Sequence, residues 1–413
     1  MMNAAPAIPT ERNVTIDVIR GVALLGILIM NVQSFSMPSA AYTNPTVWGD
    51  LSGANYLVWF FSSLLGDSKF MAMFSMLFGA GILLMSDRLE STGRPLVSVH
   101  YRRMAWLLFF GLLHAYAIWY GDILVSYALC GMLVFWLRKL PSIWLIPISI
   151  FLLTVASFFM LGAGVAISSL SPEEMAGMKE EMEVSFVGLS VEAMAYQSDW
   201  LTQLEHRIPT ALFMQLTAFP WVLMWRVSGL MLLGMVLYRW GVLSGKCRTT
   251  IYGWLLGFGI LVGIPLVWMG IEANWYVDWH WLKSKFFTSQ FNYWGSIPMA
   301  LGWMSLAVLF VRSGMLIKLQ YALACVGRMA LSNYLLQSII CTFIFYGHGL
   351  GYFGLFDRTD QILVVFFMSI AQLIWSPLWL KWFLYGPFEW FWRCLTYWKL
   401  QPLLRHPPVI PGS

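Results

Sequence analysis

The sequence predicts an all-α fold, a polytopic transmembrane bundle of about ten helices, and three observations carry that prediction. Apolar runs of membrane-spanning length recur from residue 14 to residue 385. Only 11% of the 413 residues are charged, against about a quarter in soluble globular domains, while 59% are hydrophobic and mean hydropathy is +0.69. Lys and Arg gather in alternate loops, which orients the bundle. In such a chain the placement of basic residues means more than the net charge of +5, and no nucleic-acid binding is expected. Cys130, Cys247, Cys325, Cys341 and Cys394 are scattered without CxxC spacing, so neither a disulfide framework nor a metal centre is expected.

A hydrocarbon core of about 30 Å takes roughly 20 helical residues to cross. Helices are expected at 15–36, 54–86, 102–120, 122–137, 142–168, 210–238, 250–271, 288–311, 320–346 and 361–385. The first follows a polar, Pro-containing tail (1–13) and no small-residue cleavage site comes after it, so it reads as a retained span. The second is too long for one straight crossing and contains Asp67 and Lys69. A broken or re-entrant helix accounts for both, provided protein or a cavity satisfies the freed backbone. The third and fourth form a hairpin turning at Gly121. Residues 171–208 are acidic and Met-rich with helical apolar spacing, an extracytoplasmic amphipathic segment that lies on the membrane or closes over a cavity.

The final stretch, 386–413, begins "GPFEWFWRCLTYWKL", which interleaves aromatics with Arg393 and Lys399 as a cytoplasmic interfacial anchor would. With the N-terminus inside, the inner loops carry Arg88, Arg94, Arg102, Arg103, Arg138, Lys139, Arg239, Lys246, Arg248, Arg312 and Lys318. The outer loops hold only Lys179, Arg207, Lys283, Lys285 and Arg358. Both termini are therefore expected in the cytoplasm, on a single membrane domain, 1–413.

An ionisable residue at bilayer depth costs at least about 2.5 kcal/mol on insertion scales, so such residues face the bundle interior and mark candidate sites. Asp17, Arg20 and Asn31 fall within about 60° of one another on the first helix, with Asn31 about 21 Å beyond Asp17. Asp17 and Arg20, three apart, are placed to pair near the cytoplasmic entrance. On the third helix Arg103 and His114 differ by only about 20° of rotation, His114 lying about 16 Å deeper. Asp122 follows at the outer end of the hairpin, positioned to orient His114. Arg226 is about 18 Å from the cytoplasmic end of its helix, too deep to snorkel, and Gln215 shares its face.

The ninth helix carries Arg328 and Ser332 on one side and Asn333 and Gln337 on another. Interhelical hydrogen bonding is one use for all these groups. The other is chemical: Arg20, Arg103 and Arg328 would form a basic funnel for phosphates, which guanidinium forks match bidentately, and His114 would exchange a proton.

The segments "IDVIRGVALLGILIMN", "KFMAMFSMLFGAGILL", "YRRMAWLLFFGLLHAYAIWYGDILVSYALCG", "GRMALSNYLLQSIICTFIFYG" and "GPFEWFWRCLTYWKL" resemble, in that order, the YeiB-like domain-of-unknown-function-418 family of bacterial inner-membrane proteins. A more distant likeness lies in Arg20-Gly21-Val22-Ala23, which is similar to the RGxA opening of membrane-bound acyltransferases, including the heparan-α-glucosaminide N-acetyltransferase class. That likeness implies acyl transfer from a cytoplasmic acyl-CoA-type donor to an acceptor across the membrane. The chain departs from the pattern in having Asn31 where many bacterial members place His, and no His between Asn31 and Val99. The imidazole would then be supplied by His114 from another helix.

Two functional readings follow. In the first, Arg20, Arg103 and Arg328, with Asp17 beside them, hold the acyl-CoA-type donor. His114, Asp122 and Asn31 then act on a small-molecule, lipid or glycan acceptor. In the second, the chain is a transporter or lipid-handling protein whose path is lined by Arg226, Asn333, Gln337 and Asp67, with Asp67, His114 and Asp122 as proton carriers. Membrane lipids are the surroundings in either case, and self-association into a homo-oligomer stays open.

Overall fold

The computed structural model describes residues 13–182 and 185–405; the tail through residue 12, residues 183–184 and the C-terminal end, 406–413, lie outside the described residues. Among the described residues all regular structure is helical, apart from one bridge joining Phe383 to Leu404. The chain begins with α1 (Val14–Ser36), whose first turn is capped by Asn13 Oδ1 accepting from Ile16 N, and the single turn α2 (Ala40–Thr43) follows. Next come α3 (Gly53–Leu65) and α4 (Lys69–Ser91), then the hairpin of α5 (Leu96–Leu113) and α6 (Leu124–Val134), then α7 (Ser142–Ser168). Two shorter helices follow, α8 (Pro172–Met182) and α9 (Phe186–Gln197). They lead into α10 (Trp200–Phe213) and α11 (Met224–Arg239), which a π-helical stretch joins into one rod. The remainder is α12 (Thr249–Phe258), α13 (Ile264–Tyr276), α14 (Ser289–Ser313), α15 (Ile317–Arg328), α16 (Ala330–Phe345), α17 (Arg358–Trp382) and α18 (Pro387–Tyr397).

Seven of these units are long and apolar enough to cross a membrane, and the α15–α16 pair makes an eighth. The α5–α6 hairpin falls short of that test because α5 carries His100, Arg102 and Arg103 and α6 has only 11 residues. The bundle is all-α and polytopic, as its composition requires.

The second helix is broken at residues 66–68, as its charges and length predict, where Ser68 adopts φ 64°, and α3 and α4 run on as one 39-residue unit. Two expectations are corrected. The run 320–346 is instead two half-helices meeting at Met329 with a bend of 82°. Residues from Trp200 onward, expected in the outer amphipathic segment, belong to the α10–α11 rod.

Two crossings bring backbones into contact. A Cβ on Gly21 would stand 2.1 Å from Leu323 O, and one on Gly327 would stand 1.9 Å from Asp17 O, so α1 and α15 touch only because both positions are glycine. Gly79 and Gly234 do the same for α4 and α11, against Met231 O and Met76 O. Such small-residue crossings replace the hydrophobic drive that lipid does not supply between helices. They also set the positions of the polar groups next to them.

Candidate functional site

The first crossing builds the cytoplasmic mouth. Asp17 Oδ1 and Arg20 Nη1 pair at 3.2 Å, as the spacing of three predicts. Arg328 follows Gly327 directly and therefore leaves α15 at the same crossing, and Asp17, Arg328 and Arg405 all lie within electrostatic reach of Cys325. Arg103, half-buried on α5, lies within reach of Arg20 and Arg393. Its guanidinium sits 4.5 Å from the Trp392 ring and donates to Met85 Sδ at 3.2 Å, while Trp392 Nε1 donates to Arg103 O at 2.9 Å. The interfacial helix α18 thus covers the mouth and adds a cation to it.

Sequence reading missed what holds α18 there. Glu389 accepts from Leu331 N at 2.7 Å, from Ser332 N at 3.0 Å and from the Ser332 hydroxyl, filling the N-terminal end of α16 with a carboxylate. Burial raises the Glu389 carboxyl above its ordinary value, against the bonds from Ser332 and Leu331 that lower it. The available clue was an acid two residues after a Gly-Pro pair in an otherwise aromatic anchor.

Deeper in the bundle, α5 ends at Leu113 and the chain widens into a π turn, His114–Ile118, closed by Trp119 N donating to His114 O at 2.8 Å. Single π turns are frequent at functional sites. The widened turn and the reversal after it bring Asp122 Oδ1 to 2.8 Å from His114 Nδ1, with both side chains almost wholly buried. Asp122 Oδ2 accepts from Val125 N at 2.7 Å, fixing the carboxylate at the start of α6. With Nδ1–H directed at a carboxylate, Nε2 is left as the acceptor, and it is buried without a partner. The Tyr334 ring stands 5.2 Å away and the Trp119 ring 6.2 Å.

Arg207, which the sequence offers only as an outer-loop charge, is fully buried and donates to Ala117 O at 2.8 Å and Tyr116 O at 3.4 Å. It holds two carbonyls of the π turn itself, and Trp200 Nε1 adds a bond to Ala117 O at 3.0 Å. Asn31 is half-buried and bonds to none of the described residues; one turn further along, Phe35 packs 4.1 Å from the Trp119 ring.

A third group forms at the break between α3 and α4. Tyr42 donates to Asp67 Oδ1 at 2.6 Å, Asn292 Nδ2 donates to Asp67 Oδ2 at 2.6 Å, and Lys69 Nζ donates to Asn292 Oδ1 and Ser63 O, each at 2.7 Å. Asp67 and Lys69 are therefore joined through Asn292 and make no direct bridge. Arg226 turns away, donating to Tyr293 O at 3.2 Å and Ser296 Oγ at 2.8 Å over the Tyr293 ring. Gln215 accepts from Tyr116 at 2.9 Å.

Asn333 and Gln337 join α16 to α17. Asn333 Nδ2 donates to Ser376 Oγ at 3.0 Å, Gln337 Nε2 donates to Gln372 Oε1 at 3.1 Å, and Trp375 Nε1 donates to Asn333 Oδ1 at 3.0 Å. That is the interhelical use of these amides. Two clefts stand out in the molecule: an apolar one of about 720 Å³ between α16 and α17, and a polar one of about 480 Å³ at the cytoplasmic ends of α4 and α11. Neither cleft is lined by Arg20 or by His114.

The family model described as "Protein of unknown function (DUF418)" matches residues 237–399. The chain is 34% identical to the uncharacterized protein YeiB of Escherichia coli K12 over 397 residues, covering 94% of this chain and 96% of that one. It is 26% identical to the uncharacterized protein YxaH of Bacillus subtilis 168, covering 99% of this chain and all of the relative. No solved structure matches it. With fold, crossings and polar centres laid along a sequence that aligns almost end to end with YeiB, the chain belongs to the DUF418 family of multi-pass bacterial membrane proteins.

Proposed function

We propose that the chain is a membrane-embedded acyltransferase-like enzyme of the bacterial inner membrane, moving an acyl group from a cytoplasmic CoA-type donor to an acceptor at or beyond the outer leaflet. The observation that carries this reading is the buried His114–Asp122 pair at 2.8 Å with Nε2 unpartnered. A carboxylate on Nδ1 fixes the tautomer and stabilises the imidazolium that forms when Nε2 takes a proton. Nε2 would accept the proton of an acceptor hydroxyl or amine as that atom attacks the thioester carbonyl. The tetrahedral intermediate then collapses, the C–S bond breaks, and the thiolate leaves, taking the proton from the imidazolium.

Asn31 has an unengaged amide to offer the oxyanion, a role worth about 3 kcal/mol in known sites. Arg20, Arg103 and Arg328 suit the donor's phosphates, since they come from three helices to one cytoplasmic mouth.

The test is direct. Purified protein in detergent is given acetyl-CoA together with a bacterial membrane extract as the source of acceptor hydroxyls and amines, and both binding and thiol release are followed. The reading expects binding by wild type and by His114→Ala, with thiol release abolished in the variant. Absence of binding, or release unchanged by His114→Ala, refutes it. The second reading, transport, draws on the Tyr42–Asp67–Asn292–Lys69 chain at a helix break, the kind of interruption that borders mid-membrane sites in transporters. Proton-coupled flux in proteoliposomes that is lost in Asp67→Asn would favour it.

A further inference from the structure

The polar cleft of about 480 Å³ lies where the cytoplasmic ends of α4 and α11 meet the tight turn Phe135–Lys139 that follows α6. Its charged walls are Asp87, Glu90, Arg138, Lys139 and Arg239, two acids and three bases. Arg138 forms a long ion pair with Glu90 at 3.6 Å, packs 3.8 Å from the Phe135 ring, and keeps its Nε buried without a partner. Arg239 donates to the backbone carbonyls of Arg138 and Leu140 and lies within electrostatic reach of Asp87. Asp87 and Lys139 make no hydrogen bond or ion pair with the described residues. Acids and bases that line one cleft, with the Asp87 and Lys139 side chains unbonded, are complementary to a ligand that itself carries both signs.

The depth of the cleft selects the ligand further. Trp136 in the tight turn, Trp144 at the start of α7 and Trp240 just after α11 all stand exposed around it. Exposed tryptophans at helix ends mark the headgroup level of a bilayer. The three bases also lie on the side that loop charges assign to the cytoplasm.

We infer that this cleft binds the headgroup of an aminophospholipid in the cytoplasmic leaflet. The phosphodiester lies against Arg138, Lys139 and Arg239, and the primary ammonium donates to Asp87 and Glu90. The inference does not depend on the acyl-transfer reading. An anionic glycerol headgroup would leave both carboxylates without a cation, and a quaternary ammonium has no N–H to give them.

Native mass spectrometry of the full chain with equimolar dioleoyl phosphatidylethanolamine, phosphatidylcholine and phosphatidylglycerol tests this. Wild type is expected to retain phosphatidylethanolamine about tenfold over either of the others, the preference that one pair of charge-assisted bonds confers. Asp87→Asn combined with Glu90→Gln is expected to erase the preference over phosphatidylcholine. Lys139→Gln is expected to weaken all three lipids. Phosphatidylglycerol retained as well as phosphatidylethanolamine overturns the proposal, and so does a preference indifferent to the acidic substitutions. Free O-phosphoethanolamine displacing the lipid at equal concentration overturns the lipid assignment in favour of a soluble ligand. The wild-type competition decides the matter even if a variant fails to fold.

Discussion

Replacing Asp122 by Asn changes the dyad without removing it. The amide keeps the shape of the side chain, and its oxygen can still accept from Val125 N, now at 2.7 Å, so the start of α6 stays capped. The group facing His114 Nδ1, 2.8 Å away, then becomes an N–H donor. Two donors cannot meet there, so the imidazole proton moves to Nε2 and the only free lone pair is spent against the amide. A base with its acceptor nitrogen protonated cannot take the acceptor's proton, and the same tautomer error costs a serine protease about 10⁴-fold in kcat. Loss of a positioned base elsewhere costs about 10²–10⁴-fold.

The expected result for Asp122→Asn is therefore a fall of about 10³-fold or more in thiol release from acetyl-CoA. Acetyl-CoA affinity and thermal midpoint should stay close to wild type. His114→Ala, which also opens a buried void, should lose activity and stability together. Asp122→Asn with activity within about threefold of wild type would sink the argument, because turning the amide to put its oxygen on Nδ1–H sets its NH2 against Val125 N–H, donor against donor.

Other outcomes follow from the same geometry. Gly327→Ala places a methyl 1.9 Å from Asp17 O and must push α1 from α15 by more than an ångström; a loss of about 1–3 kcal/mol in denaturant midpoint, with weaker acetyl-CoA binding, is expected. Arg207→Ala strips the carbonyls of Tyr116 and Ala117 of a buried donor, and hydrogen exchange should rise at Trp119, whose N–H closes the π turn. Glu389→Ala leaves two backbone N–H groups and a hydroxyl at α16 unsatisfied, about 3 kcal/mol of docking, read as new proteolytic cleavage within α18. Because burial raises Glu389, the docked helix binds its proton more tightly than the released one. Docking is therefore strongest at low pH and weakens as pH rises through and above the ordinary glutamate range, a dependence that Glu389→Gln should flatten in a pH series of the same cleavage.

Much of this was legible from local pattern alone. The ends of α1 and α7 fall within a residue of the apolar runs that predict them, and the Asp17–Arg20 pair follows from a spacing of three. The His114–Asp122 contact could be anticipated because a glycine-marked hairpin separates residues only eight apart. What stayed hidden depends on distant partners. The elbow at Met329 has no proline or glycine after it to announce it, and the acid that caps α16 lies 58 residues away from Leu331. Asp67 and Lys69 sit two apart, yet the group joining them, Asn292, comes from 225 residues down the chain. Arg207 follows a run of outer-segment acids, and only the fold shows it to be buried.

The elbow carries one more implication. A half-helix beginning inside a bundle offers a fringe of amide protons that membrane proteins often leave vacant to seize a passing anion. Here the chain stoppers that fringe with its own Glu389, so the partial positive pole of α16 is quenched from within. Whatever negative cargo reaches this face must be gripped by side-chain guanidinium forks alone, and releasing the stopper would expose a rival berth for it.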